Sequence, residues 1–168
     1  MITVAILTVS DSAMAGTRED VSGPALAQRC RELGWTVEAQ RAVPDDEAVI
    51  ARAIQEWADR PLASLILTTG GTGIAPRDVT PEATRRVLDR ELPGMAELMR
   101  MRGLEQTRFS VLSRAAAGVR KQSLIINLPG SPAGALHSLR VVEDLVPHAV
   151  DLLNGRTEHG ADQEKVRP

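Results

Sequence analysis

The stretch Ser64–Ala83, SLILTTGGTGIAPRDVTPEA, constrains this chain more than any other. Residues 64–68 form a short apolar run, the kind that lies inside a parallel sheet covered on both faces. Thr69-Gly70-Gly71-Thr72-Gly73 follows at once. Glycines this dense allow backbone angles that side chains forbid, and their N–H groups can converge on an anion. Asp78 comes next, and Thr80-Pro81 reads as an N-cap and first-turn pair. A strand leading through glycines to a helix N-terminus can hold phosphate, and a carboxylate in that loop can hold Mg²⁺. The same residues also describe a plain tight turn with an acid complementing a helix dipole. The loop has neither the spacing of a dinucleotide fingerprint nor the lysine of a P-loop.

The flanking chain alternates strands and helices. Residues 2–9, ITVAILTV, read as an inner strand that ends at Ser10-Asp11-Ser12. Residues 13–21 read as a mobile loop, and Ser22 as the N-cap of a helix reaching about Leu33 and stopping at Gly34. Trp35 to Val43 alternates as a strand, and Pro44-Asp45-Asp46-Glu47 opens a second helix. Ala48, Ile50, Ala51, Ile54, Trp57 and Ala58 carry its apolar stripe. Beyond the glycine loop, helices are expected over about 81–89 and 95–104, with Met95, Leu98, Met99 and Met101 as the inward set of the latter. Residues 109–112 and 124–128 read as strands. Leu128-Pro129-Gly130-Ser131-Pro132 repeats the earlier logic of strand end, glycine, N-cap and first-turn proline. Residues 133–154 read as helical with a break near Pro147, and 155–168 as a disordered charged tail.

This pattern predicts one doubly wound three-layer α/β domain over residues 1–154, with a mostly parallel central sheet. Such sheets bind ligands outside the carboxyl ends of their strands, where strand order reverses. Four polar clusters fall at expected strand ends: Ser10-Asp11, Asp45-Asp46, Gly70 to Asp78, and Gly130-Ser131. Asp45 and Asp78 follow strands expected to be neighbours. Each alone reads more readily as a helix-end residue; with a phosphate loop, the pair would hold Mg²⁺ against nucleotide phosphates.

Composition removes other classes. A net charge of −2 implies no general attraction to nucleic acid or anionic membrane. Trp35, Trp57 and Phe109 are the only aromatics, too few for a base-stacking surface. Cys30, the single cysteine, reads as a core filler in a cytoplasmic protein, and no apolar run is long enough for a membrane span. His137, His148 and His159 fit no metal-ligand spacing; the first two read as surface residues and the third lies in the tail. Arg114 reads either as an anion ligand or as a salt-bridge residue.

Taken together, Leu7 to Asp11, Val43 to Asp45, Leu67 to Gly73, Pro76 to Ala83, Pro93 to Met95, Leu112 to Arg114 and Ile125 to Gly130 resemble the molybdopterin adenylyltransferases of molybdenum cofactor synthesis, a family that includes the N-terminal domain of gephyrin. The resemblance implies transfer of AMP from Mg-ATP to the terminal phosphate of molybdopterin, with release of pyrophosphate. It carries the essential acidic pair onto Asp45 and Asp78, and the nucleotide-phosphate loop onto Gly70, Gly71, Thr72 and Gly73. Thr80, Ser10, Asp11 and Ser22 join the phosphate-binding candidates, although capping and loop roles explain Asp11 and Ser22 equally well. Ser113, Arg114, Gly130 and Ser131 would lie toward the pterin and its phosphate. A homotrimer and a separate molybdate-inserting protein are also implied. A sister group keeps the glycine loop but lacks the Arg-Asp-Val-Thr-Pro run found here at 77–81, which favours the catalytic branch. A non-catalytic pterin carrier and a Mg²⁺-dependent nucleotide or pyrophosphate hydrolase stay open as alternatives.

Overall fold

The computed structural model describes residues 1–156. Its strands are β1 (Thr3–Val9), β2 (Thr36–Val43), β3 (Leu65–Thr69), β4 (Arg90–Glu91), β5 (Ala117–Arg120) and β6 (Ser123–Leu128). They form one sheet in the order β2-β1-β3-β6-β5-β4. The first four in that order run parallel; β5 is antiparallel to β6 and to β4. Register aligns Val4, Leu65 and Leu124 across the three inner strands, and likewise Ile6, Leu67 and Ile126. These six face one core; Ala5, Leu7, Ile66 and Ile125 between them face the other. That period of two, buried on both sides, is why the inner strands read as continuous apolar runs.

The helices are α1 (Asp11–Met14), α2 (Ser22–Glu32), α3 (Glu47–Asp59), α4 (Thr80–Val87), α5 (Pro93–Gly103), α6 (Pro132–Val142) and α7 (Val146–Leu153). α2, α5, α6 and α7 cover one face of the sheet; α3 and α4 cover the other. Cys30 is fully buried in the first core, and burial pushes its thiol up to about 12. Asn127 ties the centre together: its amide donates to the Thr68 and Thr84 hydroxyls at 2.9 Å, and its oxygen accepts from the Ala116 N–H at 3.1 Å.

Several local expectations change. β2 and β3 are not neighbours: β1 lies between them, which puts the reversal of strand order beside β1. Residues 108–112 form a short 3-10 helix rather than a strand. Phe109, Val111 and Leu112 suit a strand by type, but Thr107 caps the turn and Ser110 donates to the Arg100 carbonyl at 2.6 Å, so the segment folds back on α5. The strand that pairs with β6 comes later, at β5. Met101 is 67% exposed, because Ala96, Met99 and Gly103 set the inner face of α5. Ala48 is exposed on α3, and Ala53 takes its place in the stripe. α2 begins at Ser22, with Asp20 accepting from the Gly23 N–H at 3.0 Å. α4 begins at Thr80, so Thr80 is its first residue and not its cap. The expected loop after β1 opens with α1, capped by the Ser10 hydroxyl at 3.1 Å from the Ala13 nitrogen. The expected break near Pro147 is present: α6 ends at Val142 and α7 begins at Val146, with Pro147 in its first turn. The expected tail falls outside the described residues from 157 onward.

Candidate active site

All four polar strand-end clusters meet in one cleft of about 400 Å³. Ser10, Ser22, Asp45, Gly70, Gly71, Asp78, Gly130 and Ser131 line it. Gly70 and Gly71 have φ of +104° and +65°. A side chain at Gly70 would strike the Val9 carbonyl, and one at Gly71 would strike the Thr80 hydroxyl and come within 3.1 Å of Asp45 Oδ1. The turn is therefore wedged between the end of β1, the start of α4 and the acid of the β2 loop. Thr80 is fully buried; its hydroxyl donates to the Gly70 carbonyl at 2.9 Å, and its N–H donates to the Gly71 carbonyl at 3.1 Å. On the far side, the Thr69 hydroxyl donates to the Pro129 carbonyl at 2.7 Å, and Ser22 donates to that of Gly130 at 2.7 Å. The two glycine turns are thus fastened to each other and to α2.

Asp45 and Asp11 bind reciprocally. The Asp11 N–H donates to Asp45 Oδ2 at 2.9 Å, and the Asp45 N–H donates to Asp11 Oδ1 at 3.0 Å. Arg77 grips Asp11 with two hydrogen bonds of 2.8 and 2.9 Å. The Asp45 N–H, then Arg77, hold the Asp11 carboxyl below its ordinary range. Burial pushes Asp45 the other way, upward, and the charges of Asp11 and Asp78 add to that rise. Asp46 caps α3, accepting from the Val49 N–H at 3.0 Å. Asp78 Oδ2 accepts from the Ala75 N–H at 2.8 Å, closing a tight turn within the loop.

A second cavity of about 360 Å³ opens on the other side of the glycine loop. Thr72, Gly73 and Ile74 form its near wall, with Met99, Phe109, Leu112, Ser113, Asn127, Ser131 and His137 around it. Its character is apolar where the first cleft is polar.

The candidate residues divide accordingly. Gly70 and Gly71 face the polar cleft; Thr72, Gly73 and Ser113 face the apolar cavity; Ser131, the N-cap of α6, borders both. Asp11 stands at the rim beside Asp45, and Thr80 is sealed beneath the loop. Arg114 lines neither space. Sequence reasoning missed Asp20, which lines the polar cleft and accepts from the Thr8 hydroxyl at 2.6 Å; its capping distance from Gly23 was the available signal. It also placed His137 on the surface, whereas that ring is half-buried on the apolar cavity, with Nε2 3.1 Å from the Arg102 carbonyl oxygen. Among the described residues, no three His, Cys, Asp or Glu side chains gather closely enough to hold a metal by themselves. No described helix is long and apolar enough to cross a membrane.

A family described as a probable molybdopterin binding domain matches residues 5–148. This chain belongs to that family. Among its curated relatives, the molybdopterin adenylyltransferase of Helicobacter pylori (strain J99) is 41% identical over 156 residues, which cover 92% of this chain and 89% of the relative. The Drosophila melanogaster molybdenum cofactor synthesis protein cinnamon is 40% identical over 153 residues, covering 90% of this chain but only 26% of that longer protein. The crystal structure of the molybdopterin biosynthesis enzyme MoaB from Thermus thermophilus superposes with a TM-score of 0.87 at 51% identity, covering 92% and 98% of the two chains. The expected mostly parallel α/β architecture is thus also that of the solved family members.

Proposed function

We propose that this protein is a molybdopterin adenylyltransferase: it transfers AMP from Mg-ATP to the terminal phosphate of molybdopterin and releases pyrophosphate. The observation that carries this reading is the meeting of Asp45, Asp78 and the Gly70–Gly71 turn in one cleft, with a separate apolar cavity just across the loop. Two substrates of opposite character have two seats that share a wall. The Helicobacter pylori relative, by its name, supports the same reaction and ATP as the nucleotide.

The donor set fits Mg²⁺. Asp45 and Asp78 are hard oxygen ligands whose charges repel each other, and burial already disfavours the ionised form of Asp45. A site short of positive charge, with fewer than three protein ligands, suits an ion that takes one or two carboxylates and completes its shell with water and phosphate. When bound, Mg²⁺ supplies neutralisation of charge on the phosphates. The chain's own residues do the rest. The Gly70–Gly71 backbone offers a surface without side chains to the triphosphate. The apolar cavity takes the pterin, and Ser113 and Ser131 offer hydroxyls toward it. Gly130 in the polar cleft and Ser131 at the border receive the pterin's phosphate. An oxygen of that phosphate attacks the α-phosphorus of ATP; the bond between the α-phosphorus and the bridging oxygen breaks, and pyrophosphate leaves with the electron pair.

The family resemblance also supports a homotrimer in the cytoplasm that hands its product to a separate molybdate-inserting protein. The decisive assay mixes purified protein with molybdopterin and Mg-ATP and follows both products. One pyrophosphate per adenylylated pterin is expected. Nucleotide breakdown without pterin would instead identify a hydrolase, and tight pterin binding without product a carrier.

A further inference from the structure

We propose that Arg114 is a positioning residue that clamps the acidic loop from behind, with Glu82 as its counter-charge, and that it does not bind substrate. This rests on the adenylyltransferase reading only for its effect on turnover. The Arg114 side chain reaches three groups of one loop and the helix that follows it. Nε donates to the Gly73 carbonyl at 2.7 Å, Nη2 donates to the Asp78 carbonyl at 2.6 Å, and Nη1 pairs with the Glu82 carboxylate. Its backbone N–H donates to the Thr72 carbonyl at 2.8 Å. A planar guanidinium with fixed donors can hold three acceptors at once, whereas a lysine ammonium cannot match that fork. Gly73 and Asp78 bracket the turn that presents the Asp78 carboxylate, so one side chain fixes both ends of it.

Glu82 explains why Arg114 is unavailable to an anion. Burial opposes ionisation of Glu82, yet the Arg114 hydrogen bond and charge, with the backbone at the start of α4, hold its carboxyl below the ordinary value. The pair is therefore an ion pair at neutral pH. The opposite end of the segment is fixed too: Arg100 on α5 donates to the Ser113 and Ala115 carbonyls at 3.3 and 3.1 Å. Arg114 thus connects a strip anchored beside the apolar cavity to the loop bearing the acid of the polar cleft.

The test compares Arg114→Lys and Glu82→Gln with the unaltered protein by steady-state kinetics and by amide hydrogen exchange without substrates. A misplacement of Asp78 on the ångström scale should cost Arg114→Lys roughly 100-fold in kcat, with KM for ATP and for molybdopterin within about 2-fold. Glu82→Gln, which keeps the shape and loses the charge, should fall about 5-fold in kcat. Exchange should quicken at the Ala75 and Thr80 amides, held by Asp78 and by the Gly71 carbonyl, and stay unchanged in β3. A rise in either KM with kcat preserved would make Arg114 a substrate ligand and overturn the proposal, as would unchanged exchange at those amides. If Arg114→Lys does not fold, Glu82→Gln carries the same readouts. If the unaltered protein makes no product, the functional reading fails, while the exchange experiment still decides the clamp.

Discussion

The two cavities are nearly equal in size, about 400 and 360 Å³, and differ in almost everything else. The polar cleft is made by strand ends and their turns: Ser10 after β1, Asp45 after β2, Gly70 and Gly71 after β3, Gly130 after β6. Its parts are held by hydrogen bonds of 2.7 to 3.2 Å that end on the backbone carbonyls of those turns. The apolar cavity is made by α5, α6 and the 3-10 helix, and side-chain packing shapes it. One is framed by the ends of sheet strands; the other is framed by helices packed over the sheet. The loop from Gly70 to Gly73 separates them, offering bare backbone to one side and Thr72 to the other. The difference teaches that the acids and glycine turns gather where the strands end, while the apolar lining gathers on the helices that cover them.

The comparison breaks most sharply at Asp78. Asp78→Asn should lower kcat about 1,000-fold while molybdopterin binding, measured by fluorescence quenching, stays intact; retained turnover would remove Asp78 from its role. Next comes Gly71→Ala, where positive φ and the Thr80 contact combine. A loss of about 1–3 kcal/mol in urea unfolding is expected, with ATP affinity weakened more than pterin affinity. On the other side of the wall, Phe109→Ala removes an apolar surface 69% exposed at the cavity mouth. It should raise KM for molybdopterin about 5-fold and leave that for ATP unchanged, an asymmetry opposite to the Gly71 variant.

The smallest expected effect on stability is the most diagnostic of electrostatics. Asp45 is raised above its ordinary 3.8 by burial first. A raised carboxyl binds its proton more tightly in the folded state, so the stability associated with it is fully present below the unfolded pKa and lost as pH rises through the folded one. Asp45→Asn removes that loss. At pH 7 its Tm should exceed that of the parent, and the gap should close as pH falls below 3.8. The same variant should be inactive, so gain in stability and loss of turnover would come from one atom change. Equal Tm values at both pH values would show that Asp45 bears no burial cost.

How far each half could be read from sequence follows the same division. β1, β3 and β6 were legible because both of their faces are buried, and the polar cleft was legible because turn chemistry is written in Gly, Asp, Ser and Pro. The order of β2, β1 and β3 was not, since strand adjacency is a property of crossovers and not of local pattern. The apolar cavity was invisible: Met99, Leu112 and His137 are unremarkable singly, and only the return of residues 108–112 onto α5 as a 3-10 helix brings them together. Arg114 could be noticed but not assigned, because its partners at Gly73, Asp78 and Glu82 lie 32 to 41 positions away.

The sheet ends in β4 on one side, two residues long, with Arg90 and Glu91 both exposed. On the other side β2 presents Glu38, Gln40 and Arg41 to solvent. One border is only two residues long and the other, eight residues long, carries charged and polar side chains, and both features make a poorer template for a stranger's strand. The sheet is thus finished within one molecule, its last strands bordered by side chains that face water.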